Sequence, residues 1–106
     1  MLAGYLVANF FAGAFLCNCV PHLISGLRGE PLPTPFAKPH GAGNSSALLN
    51  FFWGSLNLFA GIALLSFFPV VIGMTSECAS FLAGVVILGA YLSRHFEKVR
   101  KVKKNQ

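Results

Sequence analysis

The sequence predicts an all-α membrane protein with three transmembrane helices, a Pro/Gly-rich cytoplasmic loop between the first two, and a basic helical C-terminal tail. Three observations predict it. Charged residues make up only 10% of the 106 positions and hydrophobic residues 55%, where a soluble domain carries about 25% charged residues. The charges are clustered: none precedes Arg28, none lies between Lys38 and Glu77, and none between Glu77 and Arg94. Eight Lys and Arg against three Asp and Glu give a net charge of +5, all of it carried after position 93. Together these exclude a disordered chain, a disulfide scaffold and a multidomain protein. A water-soluble core is excluded as well, because a fold this small could not cover such long apolar runs. Residues 1–106 read as a single membrane domain.

A spanning helix needs about 20 apolar residues. The first run predicts helix one over about 2–22, with Pro21 expected to end it. It reads as a retained helix and not as a signal peptide: no Lys or Arg precedes residue 28, and Asn9 and Asn18 interrupt the apolar stretch. Residues 23–45 form the loop. Helix two is expected over about 46–70, N-capped by Ser45 or Ser46 and bent or stopped by Pro69. A tight turn over Gly73–Glu77 leads into helix three, about 77–96, which is short for a span. Arg94 and Lys98 can snorkel to extend it. Residues 97–106 are the basic tail.

With three spans, the 22–45 segment and the tail fall on one side of the membrane. All eight Lys and Arg lie in those two segments. The positive-inside rule makes that side cytoplasmic and places the N-terminus and the Glu77 turn outside. The tail residues Arg94, Lys98, Arg100, Lys101, Lys103 and Lys104 read as a lipid-surface helix facing anionic lipids, each worth about 1 kcal/mol there. Phe96, Val99 and Val102 recur every three residues, and Glu97 precedes Lys101 by four. A basic run can also bind nucleic acid, but beside a span its role is topology and lipid contact, so no nucleic-acid partner is expected.

Helix two carries a stripe: Asn50, Gly54, Asn57 and Gly61 share one face. Asparagine in hydrocarbon needs a partner, and glycine lets another backbone come close. With Asn9 on helix one, this stripe is expected to pack helices or to line a polar path. No Asp, Glu, Lys or Arg lies in the expected hydrocarbon core, where ion-coupled transporters and pumps usually keep an ionisable group. The run Cys17-Asn-Cys19-Val-Pro-His22 has a metal-like look. On a helix, however, Cys17 and Cys19 point about 200° apart, which leaves two ligands where a closed zinc site wants four. No metal and no cofactor are expected. His22 is expected to bond Asn18, one turn earlier.

The loop interleaves Pro31, Pro33, Pro35 and Pro39 with Leu27, Leu32 and Phe36. Alternating prolines favour an extended path, and the apolar residues give that path something to dock on. An ordered loop at the cytoplasmic face is expected, with a local Arg28–Glu30 pair. His22, Arg28, Glu30, Thr34, Lys38 and His40 could converge there on a ligand or partner; as scaffold, they hold the loop against the helix ends. The pattern His22-x3-Gly26-x2-Gly29-x-Pro31-x-Pro33-Thr34-Pro35-Phe36-Ala37, followed by Asn50-x2-Trp53-Gly54, resembles a signature of uncharacterised small bacterial integral membrane proteins. It covers about a third of the chain. The resemblance implies a bacterial inner-membrane setting and no particular activity.

Two functions from different classes follow. The first is a non-enzymatic protein acting by helix packing, as a homo-oligomer or as an accessory subunit partnered by another membrane protein. The second is a small oligomeric channel or transporter with a path lined by Asn9, Asn50 and Asn57. A membrane enzyme ranks below both, because no nucleophile-and-base pair is evident.

Overall fold

The computed structural model describes residues 2–39 and 42–104. Three helices dominate: α1 (Leu2–Leu27), α2 (Ala47–Phe67) and α3 (Ser76–Lys104). All three are long and apolar enough to cross a membrane. Two short strands, β1 (Leu32–Pro33) and β2 (Asn44–Ser45), pair antiparallel with Leu32 opposite Ser45 and Pro33 opposite Asn44. They turn the α1–α2 connection into a folded strap. Large apolar side chains cover the outer faces of the helices, among them Val7, Phe11, Phe52, Phe59 and Val86. The molecule measures 48 × 24 × 20 Å, so its long axis exceeds the ~30 Å hydrocarbon thickness of a bilayer.

The central element is α1. It packs along both α2 and α3, which scarcely meet each other. Glycines set how close these approaches are. A Cβ on Gly13 would lie 2.1 Å from the Phe81 carbonyl oxygen, and one on Gly84 would lie 2.0 Å from that of Phe10, so α1 and α3 are in backbone contact there. On the other side, Gly26 abuts Phe51 and Ala47, and Gly54 abuts Leu23. Small residues that let helix backbones touch are the usual basis of membrane-helix packing.

The helix ends differ from the sequence-based expectation at two places. First, α1 does not stop at Pro21 but runs on to Leu27, with the proline inside it. A proline forfeits one backbone bond, but here the next turn stays packed on α2 through Leu23 and Gly26. The true stop is Gly29, at φ +72°. Glu30 N–H donates to the Ser25 carbonyl at 2.9 Å and Gly29 N–H to that of Gly26 at 3.2 Å. This pair of bonds is a Schellman cap, which favours glycine in the left-handed region. Second, α2 ends at Phe67 and not at residue 70. Pro69 cannot continue it, and the last turn closes through Phe68 N–H to the Leu64 carbonyl, 2.8 Å.

The starts follow ordinary capping. Ser46 Oγ accepts from Leu49 N–H at 3.1 Å, and Thr75 Oγ1 accepts from Cys78 N–H at 3.1 Å; each satisfies an orphan donor of a first turn. Glu77 adds a negative charge at the N-terminus of α3. Gly73, at φ +137°, makes the turn between α2 and α3. The tail is no separate element, since α3 continues unbroken through it to Lys104.

Candidate functional site

The polar residues of the spans gather on the α1–α2 seam, most densely at the end of the bundle that carries the strap. Asn50, Gly54, Asn57 and Gly61 are the buried residues of α2. Of the residues that α1 buries, Asn9, Ala12, Cys19 and His22 lie on this side, while Gly13 faces α3. The chain direction reverses between the helices, so higher numbers on α1 meet lower numbers on α2. Asn18 Nδ2 donates to Asn57 Oδ1 at 2.9 Å, and a turn further on His22 meets Asn50. Asn57 Nδ2 turns back to the Trp53 carbonyl, 2.8 Å. The expected His22–Asn18 bond is therefore not formed. Each side chain reaches across the seam, because α2 presents polar partners that the apolar surround does not.

Asn50 is the hub. Its Nδ2 donates to the carbonyl oxygens of Leu32 (2.9 Å), Ser45 (3.2 Å) and Ser46 (3.0 Å). Its Oδ1 meets His22 Nδ1 at 2.7 Å. With three carbonyls around Nδ2, the amide has one orientation, and Oδ1 can only accept. His22 Nδ1 must therefore carry the hydrogen and donate it. One fully buried side chain thus ties α1, α2 and β1 together.

A second bond locks the strap. Thr34 Oγ1 and Ser45 Oγ lie 2.6 Å apart, both buried. Phe36 N–H donates to Thr34 Oγ1 at 3.2 Å, and Ala37 N–H to the Thr34 carbonyl at 3.1 Å. Phe36 then lies edge-on to Trp53, with ring centroids 5.2 Å apart. His22 is edge-on to both Trp53 (6.4 Å) and Phe96 (6.2 Å). Strap, α1, α2 and α3 therefore meet in one aromatic cluster around His22.

Of the residues singled out for the loop, the fold brings His22 and Thr34 into this network. Arg28 and Glu30 stay outside it and pair with each other at 3.0 Å, both well exposed. Lys38 is exposed. His40 lies outside the described residues, as does the side chain of Lys104. Arg94, Lys98, Arg100, Lys101 and Lys103 are exposed along α3. Two of them are engaged: Lys101 pairs with Glu97 at 3.1 Å, and Lys103 Nζ donates to Asn44 Oδ1 of the strap at 2.6 Å. The tail thus braces the strap as well as presenting charge.

At the opposite end, Asn9 Nδ2 donates to the Phe68 carbonyl at 2.8 Å, while its buried Oδ1 has no partner. Tyr5 Oη donates to the Pro69 carbonyl. These bonds use carbonyls left over where α2 stops. Cys17, Cys19 and Cys78 are free thiols. No group of three or more His, Cys, Asp or Glu able to hold a metal occurs among the described residues.

Sequence reasoning left out Asn18, Ser45 and Trp53 as members of the site. Asn18 carried a signal: it stands four residues before His22, on the same helix face. Ser45 and Trp53 carried none, because their roles depend on how the strap folds back. No family model, no curated protein and no solved structure matches this chain.

Proposed function

We propose that this chain is a multi-pass protein of a bacterial inner membrane that works by assembly, as a homo-oligomer or as an accessory subunit of a larger membrane complex, and not as an enzyme. The observation that supports this best is where the polar groups go. Asn9, Asn50 and Asn57 are turned inward, at 3% exposure or less, and bond within the chain. The outer faces of the spans carry Leu48, Phe52, Leu56, Phe59 and Ile62 on α2 and Leu82, Val86 and Ile87 on α3. Such a surface suits hydrocarbon or the helix of another membrane protein. A path between copies lined by Asn9, Asn50 and Asn57 lacks this support, because those side chains already face the α1–α2 seam.

The strap and the basic end of α3 belong on the cytoplasmic side, with the N-terminus outside. The support is the placement of all eight Lys and Arg in those two segments. The exposed basic side chains of α3 there suit anionic lipid headgroups. The strap also offers a partner a fixed surface: Phe36 is 61% exposed on a segment anchored by buried Thr34 and Asn50.

The test is the native mass of the tagged protein after gentle extraction from its own membrane. A single species at a small multiple of 11.3 kDa, or a constant companion, is the expected result. A lone monomer with no companion contradicts the proposal.

A further inference from the structure

A groove of about 520 Å³ opens beside the His22 cluster, between α1, α2 and α3, with Pro33–Thr34–Pro35 of the strap along one edge. That volume is in the range of a small-molecule site. Its floor is polar: Asn18, Asn57 and His22 line it. Its walls are aromatic and aliphatic, with Trp53 and Phe96 edge-on to His22 and Tyr91 stacked on His95. No Asp, Glu, Lys or Arg lines it.

The floor holds an unanswered acceptor. His22 is 3% exposed. Its Nδ1 donates to Asn50 Oδ1, as the Asn50 amide orientation requires. A charged imidazole buried here would have no carboxylate beside it, at a large desolvation cost, so the ring is neutral. In a neutral imidazole whose Nδ1 carries the hydrogen, Nε2 is a bare acceptor. No described residue donates to it. Trp53 Nε1, in the same wall, is a buried donor without a partner.

Three properties of an occupant follow. It carries a hydroxyl or amine hydrogen for Nε2, since an acceptor would face an acceptor there. Its head is uncharged, because no Asp, Glu, Lys or Arg lines the walls, where His95 is the one imidazole besides His22. It arrives through lipid, because Phe11 and Tyr91, which line the groove, are 50% and 60% exposed on the apolar flank. Aromatic walls favour a flat ring over a branched head. We propose that this groove binds a lipophilic hydroquinone drawn from the bilayer. One ring hydroxyl donates to His22 Nε2, the ring packs among Trp53, Tyr91 and Phe96, and the tail leaves along Phe11 and Phe15. The oxidised quinone has only carbonyl acceptors to offer and binds less well. The proposal concerns binding alone and includes no electron transfer. It rests on the membrane setting proposed above but not on assembly, so the native mass and the binding curve fail independently.

The test uses the full chain in lipid nanodiscs, titrated with decylubiquinol kept reduced, with decylubiquinone, and with monoolein as a hydroxylated amphiphile without a ring. Occupancy is read directly, as ligand retained by the discs at equilibrium dialysis, and protein-free nanodiscs correct for partition into lipid. The expected result is saturable binding of the quinol, about tenfold tighter than the quinone, as the loss of one hydrogen bond to an otherwise unmet acceptor implies. Leu92→Trp, which fills the groove without touching the His22–Asn50 bond, weakens it by about tenfold or more. His22→Ala removes the acceptor and the preference for the reduced form together. Where that variant fails to fold, Leu92→Trp still decides. Equal affinity for both redox forms overturns the proposal. So do monoolein binding as tightly as the quinol, binding unchanged in Leu92→Trp, and no binding above the protein-free discs.

Discussion

Asn50 and Asn9 are the same residue type, are equally buried at 0% exposure, and sit at opposite ends of one helix seam, yet they are wired differently. At the strap end, Asn50 satisfies both its polar atoms with four bonds to His22, Leu32, Ser45 and Ser46. At the turn end, Asn9 makes one bond, to Phe68, and leaves its Oδ1 orphaned. An unmade bond to a buried polar group costs about 1–3 kcal/mol, while a made one nets only about 1 kcal/mol. The strap-end asparagine is therefore a structural latch, and the turn-end one is close to neutral in its balance. A buried asparagine in a membrane segment stabilises only to the extent that both ends of its amide are met.

The largest expected effect comes from breaking the hub. Asn50→Leu leaves the His22 Nδ1 hydrogen and the Leu32 and Ser45 carbonyls without that partner, and the expected loss is about 3 kcal/mol or more, read as unfolding free energy in detergent. Thr34→Val ranks next. It strands the buried Ser45 hydroxyl and the Phe36 N–H, for an expected loss of about 1–2 kcal/mol, concentrated in the strap. Asn9→Leu sharpens the contrast: it loses the bond to Phe68 but also removes an orphaned buried acceptor, so its net change is expected within about 1 kcal/mol of zero. Arg28→Ala is the smallest. It breaks an exposed ion pair worth less than about 1 kcal/mol, and salt should mask even that.

How far this contrast was legible in the sequence depended on what carried each signal. Helical periodicity put Asn50, Gly54, Asn57 and Gly61 on one face, and the structure buries all four. The apolar runs predicted three helices long enough to span, and three are present. Pro21 misled, because a proline marks a possible stop whereas tertiary packing of Leu23 and Gly26 decides whether the helix continues. The cap at Gly29 was the better signal, since there, and not at Pro21, the backbone takes a positive φ. Partner choice was the least legible. Whether His22 bonds Asn18 within its own helix or Asn50 across the seam turns on the antiparallel register, which no local spacing encodes. The strap was equally opaque: Ser45 and Thr34 are eleven residues apart and meet only because the short β1–β2 pair folds the loop back.

The central claim is that Asn50 holds the strap to the helices while Asn9 holds comparatively little. Hydrogen exchange of the Phe36 and Ala37 amides, which both depend on Thr34, tests it most directly in Asn50→Leu and Asn9→Leu side by side. The account predicts that these amides lose their protection in Asn50→Leu, ahead of the helix amides, and keep it in Asn9→Leu. Strap protection that survives in Asn50→Leu, or is lost equally in both variants, would contradict it.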